Sequence, residues 1–139
     1  MRQQTTEFAV QTHGRKLYEI TAELRDWVRT SGIRHGLLTL YIRHTSASLT
    51  IQENADPEVQ RDLERFLDRL VPQGDPIFRH TMEGPDDMPG HVRSMLTATT
   101  LGIPVASGEP VLGTWQGVYL YEHRTAPNRR RVVAHLLGE

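Results

Sequence analysis

Twelve consecutive residues, His80-Thr81-Met82-Glu83-Gly84-Pro85-Asp86-Asp87-Met88-Pro89-Gly90-His91, bring two imidazoles and three carboxylates together among chain-bending glycines and prolines. A loop needs turn residues and solubility, and this one carries far more ionisable chemistry than that. Imidazoles supply acid–base groups or metal ligands, while carboxylates hold hard cations or act as bases. Two further segments, His44-Thr45-Ser46 and Gly113-Thr114-Trp115-Gln116, are expected to join it around one polar pocket.

Each group has a chemical reading and a structural one. Asp86 and Asp87 precede a short helix and would cap its free amides, or hold magnesium together with waters and phosphate oxygens. His44, His80 and His91 could instead make a zinc site with one position open for water or substrate. Their spacing matches no compact zinc motif. Glu83 and Glu122 are candidate general bases. Glu122 shares a strand face with Val118 and Leu120, so an inward carboxylate there needs a partner, and Arg130 could be that partner. Arg124 and Arg130 suit bidentate binding of phosphate, as do the amides at the helix start. Trp115 would stack on a flat ring or fill the core. Asn54 would donate its amide or form a turn, and Thr45, Ser46 and Gln116 complete the candidate substrate-binding set. His13, His35, His123 and His135 fall at positions with ordinary structural roles.

The elements that must position these groups can be read from periodicity. Thr6, Phe8 and Val10 alternate with polar residues between Gln4 and Thr12, as in a half-buried strand. Ile20, Leu24, Trp27 and Val28 follow helical spacing, and Gly32 can end that helix. Gly36 to His44 returns to period two, placing Leu38, Leu40, Ile42 and His44 on one face; Leu49 to Asn54 is its expected partner strand. Asp56-Pro57 starts a second helix with the stripe Val59, Leu63, Phe66, Leu67 and Leu70, closed by Pro72 and Gly74. A third helix begins near Pro89 and is expected to turn Val92, Met95, Leu96 and Thr99 inward. Ile103 to Ala106, Val111-Leu112, Gly117 to Arg124 and Arg130 to Leu137 read as strands. The order β-α-β-β-α-α-β-β-β lacks regular βαβ alternation, which predicts an α+β domain built on a mainly antiparallel sheet or sandwich.

Length and composition bound the rest. The 139 residues suit a single domain, 1–139, and the hydrophobic share of 37% describes an ordinary soluble protein. A net charge of −1 gives no bulk attraction for nucleic acid, although Arg124 and Arg129-Arg130-Arg131 form a local basic cluster. The chain has no cysteine, which removes disulfides, thiolate metal sites and cysteine nucleophiles. No stretch approaches the roughly 20 apolar residues that cross a bilayer, so the expectation is a cytoplasmic protein without a membrane partner.

Taken together these motifs resemble the YjbQ-like proteins, a family sometimes described as secondary thiamine-phosphate synthases. The resemblance runs over nearly the whole chain. It rests on His44-Thr45-Ser46, Glu53-Asn54-Ala55-Asp56-Pro57, Asp62-Leu63, the His80–His91 segment, Gly108, Gly113-Thr114-Trp115-Gln116 and Glu122-His123-Arg124. Thr100 stands where that family usually has a serine, and the hydroxyl is kept. The resemblance implies a curved antiparallel sheet with helices packed on it and a homotrimeric assembly. It also implies an activity, as a main or side function: joining a pyrimidine-methyl diphosphate to a thiazole phosphate with release of pyrophosphate. That reaction would favour magnesium. Metal-dependent hydrolysis on a three-histidine zinc site and non-catalytic binding of an anionic metabolite are the alternatives.

Overall fold

Period-two alternation produces the long strands that frame the molecule. In the computed structural model, which describes residues 1–139, β1 (Arg2–His13) pairs along its whole length with β8 (Pro127–Gly138). The sheet continues from β8 through β3 (Gly36–Ile42) and β5 (Thr100–Ala106) to the short β6 (Glu109–Pro110), an antiparallel sheet in the order β1-β8-β3-β5-β6. A second antiparallel sheet has the order β2-β7-β4, from β2 (Lys16–Glu19), β7 (Gln116–Glu122) and β4 (Ala47–Glu53). The expected α+β architecture is therefore present as two packed sheets with three helices.

Leu38, Leu40 and Ile42 from β3, Val132, Ala134 and Leu136 from β8, and Leu49, Val118 and Leu120 from the second sheet meet in one core of 16 buried residues. Burying each leucine there stabilises by about 1.5–3 kcal/mol. Helix α1 (Thr21–Ser31) adds Leu24 and Val28 to the same core and ends at Gly32, whose φ of 74° is the left-handed conformation that favours glycine.

Three expectations need correcting. The strand after His44 does not pair with β3: β4 lies in the other sheet against β7, with Ala47 opposite Glu122 and Glu53 opposite Gln116. Residues 43–46 cross between sheets, which places His44 beyond the end of β3 rather than on its inner face. Val111-Leu112 is not a strand; its neighbours Glu109–Pro110 pair instead with Val105 and Ala106.

The third correction concerns the two later helices. Helix α2 (Pro57–Leu70) starts as expected, with the Asp56 carboxylate accepting from Glu58 N. Its apolar stripe nevertheless buries no residue fully, and Phe66 and Leu70 remain 52% and 55% exposed. Helix α3 (Asp87–Leu96) faces inward with Pro89, Gly90 and Arg93, and Met95, Leu96 and Thr99 are exposed. Small residues at Pro89 and Gly90 let this helix approach the strand ends closely, so its small and polar side packs inward.

Candidate functional site

The start of α3 lies over the ends of β4 and β7: a Cβ at Gly90 would sit 3.5 Å from His123 O and 3.6 Å from the Ser46 side chain. The turn before it requires Gly84, whose φ of 105° strains any other residue. This brings His80, Asp87 and His91 together. Asp87 Oδ2 lies 2.8 Å from His80 Nε2 and 3.2 Å from His91 Nε2. One ligand atom from each residue falls within 4.8 Å of the other two, a set able to hold a metal ion.

Hydrogen bonding places one proton of His91. Its Nδ1 is 3.1 Å from the Thr45 carbonyl oxygen, which can only accept, so Nδ1 carries the proton. A neutral ring then turns the Nε2 lone pair toward a carboxylate oxygen. Two lone pairs facing each other repel, and a proton or a cation must stand between them. A histidine bonded to a backbone carbonyl through one nitrogen, with the other free, is the usual arrangement for a metal ligand.

The carboxylate of Asp87 is oriented from behind. Arg124 donates from Nη1 to Asp87 Oδ1 (2.8 Å), from Nε to Asp86 Oδ2 (3.0 Å) and from Nη2 to the Glu83 carbonyl (2.8 Å). Asp86 Oδ2 also accepts from the Thr125 amide and hydroxyl. Burial works to raise the Asp86 pKa, but the hydrogen bonds from Arg124 and Thr125 together with the Arg124 charge outweigh it and hold the group at about 2. The capping role expected of these aspartates is absent: Asp86 stands at the N-cap position of α3 and its side chain makes no capping bond. Both side chains are already engaged by Arg124. The same engagement occupies the guanidinium expected to bind phosphate.

The remaining candidates divide into two places. Near the cluster, Glu122 is fully buried and paired with Arg130, Nε to Oε2 and Nη2 to Oε1, both at 2.5 Å. Thr12 Oγ1 and the Arg124 amide also donate to it, so no oxygen is left to serve as a base. Arg130 Nη2 further donates to Ser46 Oγ at 3.0 Å. His44 does not join His80 and His91 in a ligand set; its Nε2 accepts from the Arg131 amide at 2.9 Å. Burial first, then the Arg130 charge, lowers its pKa. The Glu83 side chain is exposed.

Asn54, Trp115 and Gln116 lie elsewhere. The pairing of β4 with β7 runs from Ala47 and Glu122 at the cluster end to Glu53 and Gln116 at the other. Six residues of strand separate the ends by about 20 Å. There Trp115 is 62% exposed, its carbonyl accepts from Asn54 N, and Gln116 Oε1 closes the 113–116 turn by accepting from Gly113 N. Trp115 therefore neither fills the core nor stands beside the cluster within one chain.

Two cavities flank the histidines. One, of about 580 Å3, is lined by residues 41–45, His91, Ser94, Met95 and Thr99. A smaller one of about 280 Å3 has Phe78, His80 and Met88 among its lining residues. Sequence reasoning missed Tyr41, Ser94 and Thr99 as lining residues, and it missed the buried support beneath α3. In that support Arg93 is wholly buried and donates to Asp68 Oδ1 at 2.7 Å, while Ser48 Oγ lies 2.9 Å from His123 Nε2. Burial, and then the charges of Arg93, Arg130 and Arg15, lower the His123 pKa to about 3. The signal for Arg93 was available: Asp86, Gly90, Arg93 and Thr97 recur at helical spacing on the face that carries the small residue.

Comparison with known proteins gives a consistent result. The family model described as "UPF0047 protein YjbQ-like" matches residues 6–139. A UPF0047 protein of Synechocystis is 48% identical over 138 residues, covering 99% of this chain and 94% of its own. The YjbQ protein of Escherichia coli O157:H7 is 47% identical over 121 residues, covering 87% and 85%. Among solved structures, a hypothetical protein from Aeropyrum pernix superposes with a TM-score of 0.88 at 30% identity, covering 98% of this chain and 99% of that one.

Proposed function

The chain belongs to the YjbQ-like UPF0047 family, and from that premise we propose that it is a divalent-metal-dependent enzyme acting on a phosphorylated small molecule. The observation that carries the reading is the His80–Asp87–His91 cluster, whose His91 lines a 580 Å3 cavity.

Two imidazoles and one carboxylate leave coordination positions open, as catalytic metal sites do. Nitrogen donors favour zinc, manganese or iron, while magnesium prefers oxygen ligands. A bound ion of this kind supplies stabilisation of charge developing on a phosphate oxygen. The protein's own residues supply the positioning: the Thr45 carbonyl sets the His91 tautomer, and Arg124 holds the Asp87 carboxylate toward both rings. The specific reaction implied by family resemblance, union of a pyrimidine-methyl diphosphate with a thiazole phosphate, suits such a site because its leaving pyrophosphate carries that charge. Its homotrimeric assembly belongs to the same proposal. No helix is long and apolar enough to cross a membrane.

A hydrolytic reading is favoured by one observation: an open-position His/Asp/His set resembles those that activate water. The proposed ligand set has Asp87 in place of the His44 expected from sequence. Metal titration and product analysis separate the cases. Metal-free protein should bind about one cobalt or zinc per chain, and Asp87→Asn should weaken binding by at least about tenfold. Pyrophosphate release only when both substrates and metal are present supports the synthase reaction. Phosphate release from a single substrate supports the hydrolase. Absence of metal binding by the wild type sinks both.

A further inference from the structure

A neutral imidazole has one lone pair, and His44 faces two hydrogen-bond donors. Its Nε2 is 2.9 Å from the Arg131 amide nitrogen, and its Nδ1 is 3.4 Å from Arg130 Nη1. The shorter contact takes the lone pair, because an N–H on Nε2 would collide with the amide hydrogen. Nδ1 therefore bears a proton and points a donor toward a second donor.

The accounting around Arg130 leads to the same place. Its Nε and Nη2 are occupied by Glu122 and Ser46, and the one hydrogen-bond contact of its Nη1 is with His44 Nδ1. Two N–H groups 3.4 Å apart with no acceptor between them would both be satisfied by one oxygen about 2.9 Å from each. His44 lines the 580 Å3 cavity, as do Thr45 and Thr99, whose hydroxyls make no hydrogen bond within the protein. His91 of the His80–Asp87–His91 cluster lines the same cavity.

We propose that this cavity holds an oxyanion group of the substrate, a phosphate being the fitting size, with one oxygen seated between His44 Nδ1–H and Arg130 Nη1. The proposal rests on the phosphorylated-substrate reading above and adds where the anion sits. His44 then acts as a neutral donor, in place of the ligand or acid–base role its residue type suggested. Its lowered pKa agrees, since a neutral ring keeps the required tautomer. Arg130 keeps Glu122 neutralised and offers the seat its remaining nitrogen. Thr45 and Thr99 are placed to receive the other oxygens.

The test uses inorganic phosphate on full-length protein stripped of metal, followed by calorimetry, with cobalt binding measured separately. Phosphate should bind the metal-free wild type, and His44→Leu should weaken it about tenfold or more, as expected for loss of a hydrogen bond to a charged group. Cobalt affinity should stay within about twofold. Thr99→Val, which leaves the Arg131 amide contact intact, should weaken phosphate by a smaller factor and guards against a folding defect in the first variant. Long-range proton–nitrogen spectra should show the Nδ1–H tautomer of His44. An Nε2–H tautomer, unchanged phosphate affinity in His44→Leu, or phosphate binding only after metal loading overturns the proposal. Phosphate binding that depends on His44 in a protein that takes up no cobalt would retain the anion seat and remove the metal reading.

Discussion

Helices α2 and α3 follow one another in the chain and invert the usual relation between pattern and burial. Helix α2 has a clear apolar stripe and a proper N-cap, and buries none of its residues fully. Helix α3 has a weaker stripe and no capping bond, yet it buries Asp87, Pro89, Gly90 and Arg93. Apolar periodicity reports how a helix separates oil from water. A helix that carries a site must instead bury polar groups, and its inward face is recognised by small residues and by charges whose partners lie on other elements. The partners here are Arg124 beyond β7 and Asp68 on α2.

The largest expected effect tests the anchoring of α3. Arg124→Ala leaves Asp86 and Asp87 without their cation and should destabilise the fold by about 3 kcal/mol in denaturant titration. It should also weaken metal binding by about 10–100-fold. An effect below about 1 kcal/mol would place the support of α3 elsewhere.

Acid titration comes next. The folded pKa of His123 is depressed to about 3, below its ordinary value, so the unfolded state binds more protons between these limits. Stability is therefore complete above about pH 6.5 and is lost as pH falls toward 3; His44, lowered by burial and then by Arg130, acts in the same direction. Asp86, lowered to about 2, adds its loss between about pH 4 and 2. His123→Gln should flatten the upper part of this slope and leave the lower part in place. Equal slopes in both proteins would assign the acid sensitivity to other groups.

The two smallest effects belong to α2. Asp56→Ala removes the bond to Glu58 N and should cost about 1 kcal/mol. Phe66→Ala should cost less than about 1 kcal/mol despite its place in the stripe, because the ring is half exposed. A loss of 3 kcal/mol or more at Phe66 would mean that the stripe is covered in solution and would remove the contrast between the helices.

Much of the fold was legible in particular residues. Leu38, Leu40 and Ile42 announced β3, Asp56-Pro57 the start of α2, and Gly32 the end of α1. The strand partner of β3 was not legible, because period-two alternation fixes which side chains face inward but carries no information about which neighbour supplies the hydrogen bonds. Met95, Leu96 and Thr99 were misjudged for a related reason: the apolar stripe of α3 was visible, while the small-residue face that packs against the strand ends outweighed it.

For the site, sequence alone determined that residues 80–91 concentrate ligand chemistry and that an inward Glu122 needs a cation. Tertiary structure decided the memberships. Asp87 replaces His44 beside the other two histidines because residues 43–46 turn between sheets and bind His44 to the Arg131 amide. Trp115 and Asn54 fall at the far end because β4 and β7 are antiparallel over seven residue pairs. Residue types set the available chemistry, but distances between groups far apart in the chain depend on strand pairing and helix seating, which local pattern does not encode.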